Sequence, residues 1–296
     1  MNEKKDTFST FHPVINFTFY IGAFLLGMML IHPVFLAVSA ITAAAFYITV
    51  KGRKAKSFLF GMIPLFLMLS FINPLFNTYG DRVLFTWWNG RPYTLEALAY
   101  GTSLAAMVVT ILLWFASYSF VMTSDKFLYL FGKPFPGTSL LITMTLRFIP
   151  QLQQNRREIR QSQSMLQEEG TRLLQRLGSA LRNLSVLLTM SMEAAVETAD
   201  SMKARGYGAK RRTTFHLFRF DGRDARTLGL ILAVAGICIT ARAFGHGYME
   251  FYPAMTPVLL GSASYTMFAF YAVLMFLPGI LETKEAIRWR SYGLNT

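Results

Sequence analysis

The chain has 296 residues, of which 53% are hydrophobic and only 15% charged. Soluble domains carry about 25% charged residues, so a purely water-solvated globule is excluded. Net charge is +13, but the cations collect between apolar runs, where membrane topology and anionic headgroups account for them and no nucleic-acid partner is implied. The single cysteine, Cys238, lies in an apolar run and excludes an internal disulfide.

Charge is absent from Thr7 to Val50, while Met122 to Asp224 holds sixteen Lys and Arg. The first stretch is long enough for two membrane crossings, each needing roughly 20 apolar residues at about 1.5 Å rise. His12-Pro13 and His32-Pro33 begin them, with Pro at a first-turn position where its missing N–H is harmless. Spans of 13–31 and 33–50 follow. Lys4 and Lys5 precede the first, and Ala37-Val38-Ser39-Ala40 faintly resembles a signal-peptidase site. The apolar run exceeds the roughly 7–15 residues of a signal-peptide core, so a retained first helix is expected.

Ser57–Phe76 predicts a third span, interrupted by Pro64 and Pro74, and Leu95–Val121 a fourth. Trp87, Trp88 and Tyr93 between them suit an interfacial belt or a short re-entrant segment. Thr227–Phe244 and Tyr252–Leu277 complete six. Lys51, Arg53, Lys54 and Lys56 follow span two, the basic segment follows span four, and Lys284, Arg288 and Arg290 follow span six. The opposite loops hold only Arg82, Arg91 and Arg242, so the positive-inside rule puts both termini and the large loop in the cytoplasm of a multi-pass cell (plasma) membrane protein.

The long segment between spans four and five reads as helical. Lys133-Pro134-Phe135-Pro136-Gly137 is a loop, and the chain is then apolar through Leu140, Leu141 and Met144 to Pro150. Gln151–Glu169 is polar, with Arg156, Arg157 and Arg160. After Gly170, Leu173, Leu177, Leu181, Leu184, Leu188, Met192, Val196, Ala199 and Met202 recur at helical steps and predict an apolar stripe that packs this helix. Arg172, Arg176, Arg182, Glu193, Glu197 and Asp200 take other faces, and Arg205-Gly206 ends the helix before Lys210-Arg211-Arg212. The expected fold class is all-α: a polytopic membrane protein of about six transmembrane helices with a cytoplasmic domain of long helices. Its divisions are 1–121 and 226–296 for the membrane helices and 122–225 between them.

Ala204-Arg205-Gly206 has a plain structural explanation, since Gly past a helix end tolerates left-handed φ and Arg there complements the dipole. The wider pattern adds to it. Leu146-Arg147-Phe148-Ile149-Pro150, the stretch from Glu193 to Tyr207, and the His-Pro before paired apolar helices resemble the T component of energy-coupling factor transporters. Close matching covers about 126–208.

The resemblance implies a non-catalytic transport subunit without a cofactor of its own. Its partners would be two cytoplasmic ABC ATPases, a substrate-binding membrane S subunit and the lipid bilayer, in an importer of vitamins or metal ions. It implies that Arg205, between small Ala204 and Gly206, docks into a groove on one ATPase. A planar guanidinium with five donors suits carboxylates or helix-end carbonyls there. The first coupling helix departs from the pattern. Ser164, Met165 and Leu166 stand where a second Ala-Arg-Gly is expected, so that second docking site is degenerate.

Other chemistries are poorly represented. No Walker sequence occurs, so ATP hydrolysis would fall to a partner. His12, His32, His216 and His246 do not pair at metal-ligand spacing. Asp221-Gly222-Arg223-Asp224 reads as a polar turn; a prenyl or lipid transferase would need a second acidic motif. Glu193-Ala194-Ala195 resembles the start of the coupling loop of conventional ABC permeases, but Ala199 stands where its glycine is expected.

Overall fold

The computed structural model describes residues 7–86, 92–132, 134–166, 173–209, 218–252 and 262–291. Trp87, Trp88, Arg91, Lys133, Gln167, Arg172 and the run Lys210-Arg211-Arg212 lie outside the described residues, as do the side chains of Arg53, Ser164, Leu166 and Arg176. The chain divides into two compact units, Met1–Phe127 with Phe218–Thr296, and Leu128–Leu217.

The first unit is built on apolar helices: α1 (Pro13–Met29), α2 (Pro33–Lys51), α3 (Ala55–Phe76), α4 (Leu95–Val121), α8 (Gly222–Ala243) and α9 (Ser262–Ser291). Five are long and apolar enough to cross a membrane, namely α2, α3, α4, α8 and residues 264–284 of α9. At 17 residues, α1 extends about 25 Å, the short end of what a crossing needs. An all-α polytopic membrane protein is thus what the sequence forms. The described helix of the last span, Ser262–Ser291, continues through Pro278 beyond the expected end at Leu277, while 253–261 lie outside the described residues. Hydropathy marks where lipid contact ends; the backbone ladder runs past that point into Glu282 and Lys284.

Both His-Pro pairs do open helices, and the imidazoles themselves act as caps. Nδ1 of His12 accepts the Val14 N–H and Nδ1 of His32 the Val34 N–H, each at 3.3 Å. Each ring therefore satisfies one of the orphan donors of a first turn. At the start of α8, the Asp224 carboxylate accepts the Asp221 N–H within a capping box. The Asp-Gly-Arg-Asp sequence is a helix start.

Large side chains hold this unit together. Phe8, Phe19, Tyr20, Phe46 and Trp114 are buried and meet edge to face or tilted, with the Trp114 ring 5.4 Å from Phe19. Trp114 Nε1 donates to Ser39 Oγ at 3.0 Å, which in turn lies 3.6 Å from Met275 Sδ, so α4, α2 and α9 are joined by polar contacts inside the apolar core. Burial of apolar area has no driving force between helix and lipid, so such directional contacts and close packing select the arrangement. Gly101 makes a close approach possible. A Cβ there would stand 2.8 Å from the Ser70 carbonyl oxygen, on the seam between α4 and α3.

Between α3 and α4, β1 (Val83–Thr86) and β2 (Pro92–Thr94) form an antiparallel hairpin, with Phe85 stacked on Tyr93 at 4.6 Å. Lys126 is buried. Its Nζ donates to the Ser9 and Val121 carbonyls at 2.6 and 2.8 Å, fastening the N-terminal segment to the end of α4. Lys126 lies in the first turn of α5 (Ser124–Gly132), which leads out of this unit.

The second unit holds α6 (Pro136–Leu166) and α7 (Leu173–Ala204), which pack on one another. α6 continues unbroken through Pro150. On α7 the less exposed positions are Ser179, Asn183, Leu187, Ser191, Ala194, Thr198 and Met202, a face of mostly small side chains. The stripe expected to pack this helix looks elsewhere: Leu177, Leu181, Leu184, Leu188, Met192 and Val196 are all exposed. Periodicity identifies an apolar face but cannot say what covers it, and small residues allow the closer helix pairing.

Candidate functional site

The end of α7 is a Schellman motif. The Arg205 N–H makes the last helical bond to Ser201 O at 3.1 Å. Gly206 turns left-handed at φ +83°, its N–H reaching Lys203 O at 2.9 Å, and the Tyr207 N–H reaches Met202 O at 3.0 Å. Those two bonds satisfy carbonyls that a bare terminus would leave open, and only Gly enters this φ without strain. Gly208 turns left-handed again, at +89°, and the Ala209 N–H closes back on Gly206 O at 3.1 Å.

This cap is a firm mount with an open surface. Lys203 through Ala209 are all exposed, and no Cβ-sized neighbour approaches Gly206. The Arg205 guanidinium has no ion-pair partner among the described residues. The Lys203–Asp200 pair next to it is 3.9 Å apart with both side chains over 70% exposed, and contributes little. The tip therefore offers five unused donors on a short rigid turn, with small residues on either side. Chemically it can bind carboxylates or carbonyls, and no group of metal-ligating side chains occurs among the described residues.

The other expected positions do not converge on it as a cluster. Leu146, Arg147, Phe148, Ile149 and Pro150 occupy the middle of α6, with Phe148 half-buried and the others exposed. They serve as helix interior. Met165, in the last turn of α6, is 86% exposed, while the side chains of Ser164 and Leu166 lie outside the described set. Glu193, Glu197 and Asp200 recur along the exposed surface of α7 leading to the tip. Sequence reasoning overlooked the imidazole caps and the buried Lys126, which it had counted among the cytoplasmic cations. A His immediately before Pro at a helix start was the signal for the caps; for Lys126 there was none, because its partners are backbone carbonyls.

No family model matches the chain. It is 28% identical over 199 residues to the energy-coupling factor transporter transmembrane protein EcfT of Staphylococcus aureus (strain 04-02981), covering 62% of this chain and 74% of that protein. Against the protein of the same name from Lactobacillus helveticus (strain DPC 4571) identity is 25% over 248 residues, or 75% of this chain and 87% of the relative. The chain is EcfT-like. The likeness extends over most of an EcfT-like chain of apolar helices, well beyond the motif stretches alone.

Proposed function

We propose that the protein is the transmembrane coupling component of an energy-coupling factor importer. It would link ATP hydrolysis in two cytoplasmic ABC ATPases to a substrate-binding S subunit carrying vitamins or metal ions, with no catalytic centre of its own. In this reading both termini and the segment 122–225 face the cytoplasm, with 1–121 and 226–296 as the membrane parts. Ala204-Arg205-Gly206 docks one ATPase, and α6 and α7 move with the ATPases as levers.

The observation that carries the reading is the capped, exposed end of α7, with an Arg205 that has no ion-pair partner among the described residues, in a chain similar to two EcfT proteins. A cap alone needs the glycine; it does not need an arginine without an ion-pair partner among the described residues. The Ser164-Met165-Leu166 end of α6 would take the second ATPase by apolar contact at Met165, making the two docking sites unequal.

Arg205→Glu should abolish co-purification of ATPases in mild detergent while leaving membrane insertion unchanged. ATPase recovery equal to the parent chain would remove Arg205 from the account. Met165→Glu should weaken association with one ATPase and spare the other. A charge there without effect would put the second docking site elsewhere.

A further inference from the structure

The turn between α2 and α3 carries a concentration of positive charge that the coupling role does not use. Lys51, Lys54 and Lys56 lie within six residues, and the sequence holds no acid from Thr7 to Gly80. Lys54 and Lys56 are exposed and Lys51 half-buried. None of the three forms an ion pair among the described residues. Glu282 of α9 does reach α2, but at Thr49, whose hydroxyl donates to it at 3.2 Å. Lys51 is held in place: its Nζ donates to the Tyr47 hydroxyl at 3.0 Å and stands 4.5 Å from the centroid of the Phe120 ring. Gly52, at φ +60°, turns the chain so that α3 starts three residues later.

Below this turn, α3 is the least buried of the candidate spans, with 11% of its apolar window buried. Its exposed residues continue the line of Lys56. Phe60, Ile63, Leu67 and Phe71 follow at helical steps, each between 47% and 75% exposed. Lys56, in the first turn of α3, therefore stands at the head of an apolar strip on the same helix face, with Lys51 and Lys54 just before it in the turn. That is the order of polarity along a phospholipid.

We propose that this surface binds an anionic phospholipid, its phosphate held by Lys51, Lys54 and Lys56 and its acyl chains lying along Phe60, Ile63 and Leu67 of α3. Ammonium groups are compact donors suited to a phosphate oxygen. Each lysine at this depth contributes about a fivefold gain in affinity for an anionic surface. The inference rests on the membrane unit alone, and is independent of Arg205 and of any ATPase.

The test titrates the purified full chain in mild detergent with phosphatidylglycerol or phosphatidylcholine and counts bound lipid by native mass spectrometry. Phosphatidylglycerol should be retained in preference. Lys54→Gln with Lys56→Gln should weaken it about 25-fold, with phosphatidylcholine unaffected, and Lys56→Gln alone should weaken it about fivefold if the double variant fails to insert. Lys54→Arg with Lys56→Arg should retain binding. Arg156→Gln with Arg157→Gln removes the same charge from exposed α6 and should change nothing. Three results would each overturn the proposal: no preference between the lipids, equal loss in the α6 variant, or displacement of the lipid by millimolar inorganic phosphate. Unchanged lipid binding alongside loss of a co-purifying small membrane protein would also overturn it, and would assign the strip to that protein.

Discussion

The membrane unit and the α6–α7 unit use their large apolar side chains to opposite ends. In the first, Phe8, Phe19, Tyr20, Phe46 and Trp114 point inward and are almost completely buried. In the second, Leu177, Leu181, Leu184, Leu188 and Met192 stay exposed on a helix whose paired face is made of Ser, Asn, Ala and Thr. The contrast separates two uses of an apolar residue: holding one's own fold, and offering a surface to something else. Contiguous exposed apolar area of this kind marks an interaction site when it is not lipid-facing. Stability should therefore depend on the first unit's aromatics, and association on the second unit's leucines.

Substitutions can break that comparison at both ends. Trp114→Ala should have the largest effect on the fold, about 3–5 kcal/mol, because it opens a cavity and removes the hydrogen bond donated to the Ser39 hydroxyl; thermal unfolding in detergent measures it. Gly101→Ala should destabilise by about 1–3 kcal/mol, since a Cβ 2.8 Å from the Ser70 carbonyl forces α3 and α4 apart. Leu184→Ser with Leu188→Ser should leave unfolding within about 0.5 kcal/mol per site, as exposed positions do, yet lower recovery of co-purifying subunits. A large stability loss there would mean the stripe packs within the chain after all.

The smallest effect tests a helix start. Burial holds the His32 imidazole below its ordinary value of 6.5, and the neutral ring accepts the Val34 N–H. Between that lowered value and 6.5 the unfolded chain binds a proton that the folded chain does not, so stability is full above 6.5 and falls as the pH drops through this window. His32→Asn keeps a capping acceptor without titrating. The variant should unfold with less dependence on pH between 7.5 and 5.5 than the parent chain.

Much of the architecture could be read before any coordinates were in hand. Charge-free runs and Pro-initiated starts located α1 through α4 to within a few residues, because a helix in lipid must satisfy its own backbone and announces itself by length. The Arg205-Gly206 stop was equally readable, since glycine at C′ is a local backbone requirement. The hairpin around Phe85 and Tyr93 is not legible in hydropathy, because it depends on pairing between two strands. The Leu146–Pro150 stretch was recognisable by its residues, and its place inside one long helix was readable too, since the apolar run before Pro150 and the polar run after it continue one another.

By itself, then, the sequence determined that the chain is helical, which runs can enter lipid, and where α7 must stop, since each follows from local chemistry repeated along one stretch. Only the tertiary structure decided which apolar residues are used internally. Whether Trp114 meets Ser39, whether Lys126 finds the carbonyl of Ser9, and which face of α7 turns to α6 are contacts between segments distant in the chain. Their outcome rests on how closely two backbones can approach, and that is a property of neither segment alone.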